Sequence, residues 1–192
     1  SGAKRGTTLE VRLRGDRLAD AEEILLYRPG IRVEEITSKT GREVKVRLRI
    51  EPDCTLGEHF LRVRTSTGVS ALRMFFVGPF DPIDEREPND KAAAAQKIAL
   101  NTTVQGTLAA EDEDWFAVEV AAGQRISAEV EGARLGRTML DPVLVLRDPT
   151  GRVLAKSDDT PLLGHDAHLS VVAPAAGTYT VQLRDAVYSG VH

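Results

Sequence analysis

Apolar residues recur at every second position along much of this chain, and that period constrains its fold more than any other feature. Leu9, Val11 and Leu13, then Val44, Val46, Leu48 and Ile50, then Leu61 and Val63, then Leu72, Met74 and Phe76 each follow it. Successive side chains of a strand point to opposite faces, so the pattern predicts strands that bury one face. Arg12, Arg14, Lys45, Arg47, Arg49, Arg62 and Arg64 occupy intervening positions, as on the solvated face of an antiparallel sheet. Arg28-Pro29-Gly30, Thr40-Gly41, Glu51-Pro52-Asp53 and Thr67-Gly68 supply turn formers between the runs, at the short spacing of a β-sandwich. Six or seven strands ending near Val77 are expected.

Gly78-Pro79-Phe80-Asp81-Pro82 then opens a polar stretch that reaches Asp90. Proline lacks the ladder donor, so this stretch reads as a domain boundary. The length of 192 residues suits two cores better than one. The expected organisation is a first domain over 1–78, an acidic linker over 79–90 and a second domain over 91–192. Lys91 to Ile98, with four alanines, predicts one short helix after the linker. Strands are expected around Thr103, Trp115 to Val120, Arg125 to Val130, Val143 to Arg147, Val153 to Ala155, Ala167 to Val172 and Thr178 to Leu183. The fold class is therefore all-β, two β-sandwiches in tandem. Gly57-Glu58-His59-Phe60 and Gly177-Thr178-Tyr179 each read as a glycine turn feeding an aromatic-bearing strand.

Charge divides unevenly. Residues 1 to 80 hold 15 Lys/Arg against 11 Asp/Glu, and residues 81 to 192 hold 10 against 18. The acidic half argues against nucleic acid, which needs clustered positive charge, and favours cations. No apolar run approaches the roughly 20 residues of a membrane span. Ser1-Gly2 reads as a vector-derived start, which leaves room for a trimmed export signal.

Catalytic chemistry finds little support. Cys54 has no base near it in sequence, and four histidines supply no Ser/His/Asp or Cys/His set. Thr67-Gly68-Val69-Ser70-Ala71 lacks the second glycine of a nucleophile elbow and reads as a hairpin turn. Asp158-Asp159 reads as a solvated turn, since glycosidase chemistry needs a cleft. His165-Asp166-Ala167-His168 is a candidate for a transition metal, with two imidazoles and one carboxylate. Trp115 and Phe116 are neighbours in one strand, so at least one is expected in the core rather than on an aromatic platform.

The acidic segment Glu85-Arg86-Glu87-Pro88-Asn89-Asp90 carries the most chemistry. In extended backbone Glu85, Glu87 and Asn89 project to one side, and Pro88 keeps Glu87 out of helical conformation. Asp112 and Asp114 share the alternation. Together these oxygens suit calcium, which takes six to eight oxygen ligands and tolerates irregular geometry. The competing reading is that Asn89 or Asp90 caps the helix that follows and the remaining acids are solvated.

This segment, followed by Gly106-Thr107-Leu108, Asp112-Glu113-Asp114-Trp115-Phe116, Ala122-Gly123, Leu140-Asp141-Pro142, Asp148-Pro149-Thr150-Gly151, Asp158-Asp159 and Gly177-Thr178-Tyr179, resembles the bacterial pre-peptidase C-terminal domain family over about 105 residues. Arg5-Gly6-Thr7-Thr8-Leu9-Glu10-Val11, with Gly15 and Leu18-Ala19-Asp20-Ala21, resembles an immunoglobulin-like domain of the IPT/TIG kind. The pairing is similar to that in large planctomycete exported proteins. The resemblance implies a jelly-roll-like sandwich that serves binding, anchoring or maturation in exported multidomain proteins. Related collagen-binding domains bind calcium through the acidic linker and an aspartate loop. By motif position this carries over to Glu85, Glu87, Asn89, Asp90, Asp112 and Asp114, with Ala109 and Ala110 offering no side-chain oxygen. Collagen binding itself is not carried over, for want of an exposed aromatic platform.

The expected function is a non-catalytic binding or structural module pair of a larger secreted or cell-surface bacterial protein, periplasmic or extracellular, stabilised by calcium at the linker. The alternatives are a carbohydrate-binding or adhesion module and an accessory region of a secreted peptidase. Expected partners are other domains of the same polypeptide, a polysaccharide or an extracellular protein.

Overall fold

Eight strands build the first of two units, Ser1–Pro82 and Ile83–His192, in a computed structural model that describes residues 2–109, 111–135 and 140–186. They are β1 Gly2–Lys4, β2 Thr8–Arg14, β3 Ala21–Leu26, β4 Ile31–Lys39, β5 Glu43–Ile50, β6 Gly57–Thr65, β7 Gly68–Val69 and β8 Arg73–Gly78. One sheet runs β1-β8-β6-β3 with β7 on β6, and the other runs β2-β5-β4. β1 lies parallel to β8, whereas the remaining pairs are antiparallel. The alternation works as expected in β5, where Val44, Val46, Leu48 and Ile50 are buried while Arg47 and Arg49 are exposed. These residues join Val11, Ile24, Leu61, Val63, Phe75 and Val77 in one core.

Two details differ from expectation. In β8 the buried side chains are Phe75 and Val77, and Leu72, Met74 and Phe76 lie on the opposite phase. Met74 to Val77 is apolar in both phases, so pairing decides which side faces inward. β6 sets His59 opposite Phe75 and Gly57 opposite Val77, and His59 is itself buried. The residue of β6 that corresponds to the buried Tyr179 is thus His59, two positions after its glycine, and Phe60 lies on the other face.

β9 Asp81–Asp84 runs across the division, and the second unit adds β10 Gln96–Lys97, β11 Thr102–Gln105, β12 Glu113–Val120, β13 Arg125–Glu129, β14 Pro142–Arg147, β15 Val153–Ser157, β16 His168–Val172 and β17 Gly177–Asp185. The main sheet runs β10-β12-β17-β14-β15, and β13-β16 and β11-β9 form two-stranded ladders. Val118, Val120, Leu144, Leu146, Ile126, Leu169 and Tyr179 form its core. Tyr179 donates its phenolic hydroxyl to the Ala175 carbonyl at 2.7 Å, which satisfies the one polar atom of a fully buried ring. The presumed linker is thus partly structured: β9 continues the chain as a ladder strand, and Pro82 is tolerated there because a two-stranded ladder leaves one edge of each strand open.

The helix expected over Lys91 to Ile98 is reduced to a single 3₁₀ turn, Ala92–Ala94. Its first residue has no side-chain cap, and three alanines cannot offset the cost of helix nucleation. Gln96 and Lys97 leave it at once to pair with Phe116 and Ala117. Among the described residues no α-helix occurs, and no helix is long and apolar enough to cross a membrane.

Candidate metal centre

The β9–β11 ladder delivers the acidic segment to the edge of the second unit's sheet. Glu85 extends that ladder by donating its backbone N–H to the Gln105 carbonyl at 2.9 Å. Its carboxylate accepts the Thr107 N–H at 3.0 Å through Oε2 and the Asn89 side-chain amide at 3.3 Å through Oε1. Gly106 makes room for this carboxylate, because a Cβ there would stand 2.1 Å from Glu85 Oε2.

Two residues further on, Glu87 accepts the Asn89 backbone N–H at 2.9 Å. Asn89 is fully buried, and its carbonyl accepts the Trp115 N–H at 2.9 Å. The side-chain amide donates to Glu85, and the turn that follows has Lys91 at its cap position with no side-chain cap bond, so neither Asn89 nor Asp90 caps it. Instead the Asn89 Oδ1 is buried with no hydrogen-bond partner, an arrangement that costs about 1–3 kcal/mol unless something else binds the atom.

Asp114 completes the cluster from β12. Its side chain lies on the same strand face as Phe116 and Val118, and the residue is 2% exposed. Ligand oxygens of Glu85, Glu87 and Asp114 lie within 4.8 Å of one another. Two unit charges at that distance repel by about 3 kcal/mol at the effective dielectric of a protein surface. The Asp114 carboxyl responds by holding its proton, its pKa pushed up to about 8 by burial first, then by the Glu85 charge and a hydrogen bond to Glu85, with Asp112 and Glu87 adding smaller repulsions. Its Oδ1, like that of Asn89, is buried and without a partner.

The remaining expected ligands stand further off. Asp112 is near enough to act on Asp114, but its oxygens accept the Ala109 N–H at 3.3 Å and the Glu113 N–H at 2.9 Å. Asp90 is exposed and outside the group whose ligand atoms converge. Ala109 is exposed, and Ala110 and His192 lie outside the described residues.

Two other sequence readings change, and the burial expected at Trp115 or Phe116 holds for both. Asp166 is no partner of its histidine neighbours: it is fully buried and accepts from Gly132 N, Ala133 N, Arg134 N and Arg134 Nε at 2.7–3.2 Å. It braces the turn after β13. Cys54 does have a base beside it, His59 Nε2 at 3.6 Å. That nitrogen lies 2.7 Å from the Thr55 carbonyl and so carries a proton, and burial pushes the Cys54 thiol up. The pair thus belongs to the core rather than to nucleophilic chemistry. Trp115 and Phe116 are both buried, with the Arg147 guanidinium 5.5 Å from the indole centroid and Trp115 Nε1 donating to Glu113.

Residues 112–185 match the family described as the bacterial pre-peptidase C-terminal domain. A "Probable subtilase-type serine protease" of Deinococcus radiodurans is 34% identical over 106 residues, covering 54% of this chain. The chain spans 14% of that relative's length. Among solved structures, SGBP-B of the Bacteroides ovatus mixed-linkage glucan utilization locus, in complex with a mixed-linkage heptasaccharide, covers 95% of this chain and 51% of its own at 10% identity and a TM-score of 0.32. The secreted serine protease VesC of Vibrio cholerae covers 96% of this chain and 44% of its own at 12% identity and a TM-score of 0.29. Likenesses at these TM-scores carry no argument about fold or function.

Proposed function

Taking residues 112–185 as a pre-peptidase C-terminal domain, we propose that this chain is a non-catalytic module pair of a larger secreted or cell-surface bacterial protein. In this reading a calcium ion binds at Glu85, Glu87, Asn89 and Asp114. The observation that supports it is the coincidence of two kinds of defect at one place. Three carboxylates converge there, and two buried oxygens, Asn89 Oδ1 and Asp114 Oδ1, have no partner. One hard cation corrects both, because it replaces mutual repulsion by attraction and takes up the orphaned lone pairs. Two glutamates, one aspartate and one amide oxygen account for at least four of the six to eight ligands calcium takes. Asp112, close enough to act on Asp114, is a further source of oxygen. When bound, the ion ties the segment after β9 to β12.

The likeness to the protease relative over 106 residues supports a finer reading, an accessory region of a secreted peptidase that positions or anchors other domains of its own polypeptide. The first unit fits the same role as a second sandwich of immunoglobulin-like type. Differential scanning calorimetry of chelator-treated protein, with and without millimolar calcium, tests the ion. A melting temperature raised only by calcium supports the reading, and identical curves refute it.

A further inference from the structure

The β1-β8-β6-β3 sheet of the first unit buries one face in the core, and its other face is apolar as well. On β6 the side chains of His59, Leu61 and Val63 are buried, so Glu58, Phe60 and Arg62 project from the opposite side. Phe60 stands opposite Met74 of β8, and Glu58 opposite Phe76, while Leu25 of β3 stands opposite Arg62. Tyr27 donates its backbone N–H to the Phe60 carbonyl at 3.2 Å, which extends the pairing by one residue and sets Tyr27, Phe60 and Met74 in one row. Tyr27 is 55% exposed, and Leu25, Phe60, Met74 and Phe76 are partly exposed and outside the core cluster. The solvated face of an antiparallel sheet is polar at such positions, whereas a contiguous apolar patch marks an interaction surface.

Two charges in this face lack partners. Arg64, towards its edge, pairs with Glu22 and Glu23, but among the described residues Glu58 and Arg62 form no ion pair, and the Arg62 Nε is buried without a hydrogen-bond partner. They cannot serve each other, because residues four apart on one strand are separated by about 13 Å. Their placement is symmetric about Phe60, which lies midway between them on β6. A second copy packed face to face, related by a two-fold axis crossing β6 at Phe60, runs its β6 antiparallel to the first. Phe60 then meets its own counterpart, and each chain's Glu58 meets the other's Arg62. An isologous interface requires such self-complementarity. A two-fold axis along the strands would instead oppose Arg62 with Arg62, which like-charge repulsion disfavours.

We propose that this sheet face is a dimer interface covered by a second copy of the chain, with Phe60 at the two-fold axis and a Glu58–Arg62 pair on either side of it. A polysaccharide would stack on Tyr27 and Phe60 alone, whereas Leu25, Met74 and the two opposite charges fit a protein surface. With β6 nine residues long in a path of four paired strands, the face measures roughly 30 Å by 19 Å, or about 1,100 Å² over two copies. That area stands at the lower end of specific interfaces, so the dimer forms and dissociates with concentration.

Sedimentation equilibrium of the full chain in chelator, from ~1 to ~200 μM, tests the interface. The expected result is a monomer–dimer equilibrium whose Kd rises ~10-fold or more in Phe60→Asp, in Glu58→Arg and in Arg62→Glu. The double variant carrying both charge exchanges should return towards the wild-type Kd, because it restores each pair with its signs reversed. Melting curves of the dilute proteins that match wild type establish that the variants fold. Three outcomes overturn the proposal: a wild type that stays monomeric throughout, a Phe60→Asp variant that associates as tightly as wild type, or a double variant no tighter than its weaker parent. A monomer that binds a soluble glucan through Tyr27 is a case of the first and assigns the face to a polysaccharide. Calcium is absent from the measurement, so the result is independent of the acidic segment.

Discussion

The Trp115 backbone N–H donates to the Asn89 carbonyl at 2.9 Å, and through that bond the acidic segment lies against the strand that carries Asp114. Asn89 and Asp114, each with an orphaned buried oxygen, therefore meet by backbone pairing.

Asp114→Asn preserves shape and replaces a carboxyl that is costly to ionise beside Glu85 by an amide that never ionises. In metal-free protein the change should leave stability unchanged or raise it, since a carboxylate crowded by Glu85 becomes a neutral amide. In calcium the variant should lose the stabilisation shown by the wild type, which amounts to about 2.7 kcal/mol when free calcium is 100 times its Kd. Urea unfolding with and without calcium measures both. A calcium effect that survives intact in Asp114→Asn removes this residue from the site.

Gly106→Ala separates fold from site. The new methyl group would collide with the Glu85 carboxylate, 2.1 Å from Oε2, but that carboxylate ends a flexible side chain and can swing away. The expected cost to metal-free stability is modest, about 1 kcal/mol for the lost Thr107 N–H bond. Calcium affinity should fall about tenfold or more, because the displaced group is a ligand. Equal affinities in titration calorimetry would show that Glu85 does not bind the ion.

How much of this was legible in the sequence varied with the interaction. β5 declared itself, because Val44 to Ile50 alternates with charged residues and only one phase can be buried. β8 did not, since Met74 to Val77 is apolar in both phases and the choice belongs to its pairing with β6. The alanines after Asp90 suggested a helix on propensity, a weak term that lost to strand pairing by Gln96 and Lys97. Glu85, Glu87 and Asn89 were readable as one group from their spacing. Asn89 as a buried bridge to Trp115 was not, because backbone partners 26 residues apart leave no local trace. The contacts of His59 with Cys54 and of His165 with Asp141 were hidden for the same reason.

The raised Asp114 pKa has a definite sign. A carboxyl that holds its proton more tightly folded than unfolded stabilises the folded state at low pH, and that contribution is lost as pH rises. Asp114 stands at about 8 against an ordinary 3.8, so the loss spans the interval between those values. Because Glu85 and Glu87 share the cluster, the titration belongs to the group. Without calcium, wild type and Asp114→Asn should be equally stable near about pH 4, with the wild type the weaker near about pH 8. Calcium should reverse the order at the upper end, since it binds the deprotonated form. Denaturation curves at both pH values decide it, and parallel profiles would contradict the placement of Asp114.

Asp166→Asn tests a different part of the second unit. One oxygen of Asp166 accepts Gly132 N and Ala133 N, and the other accepts Arg134 N and Arg134 Nε. Whichever oxygen becomes an amide nitrogen must face two donors, inside a site with no exposure. Arg134 keeps a bond to Glu129 at 2.6 Å, so its charge is not left wholly unpaired. The expected cost is about 3 kcal/mol, enough to lower the melting temperature of a unit of this size by about 10 °C or more. Calcium affinity should not change, because none of these donors touches Glu85, Glu87, Asn89 or Asp114. A melting temperature within about 2 °C of wild type would mean that the turn after β13 does not depend on its buried carboxylate.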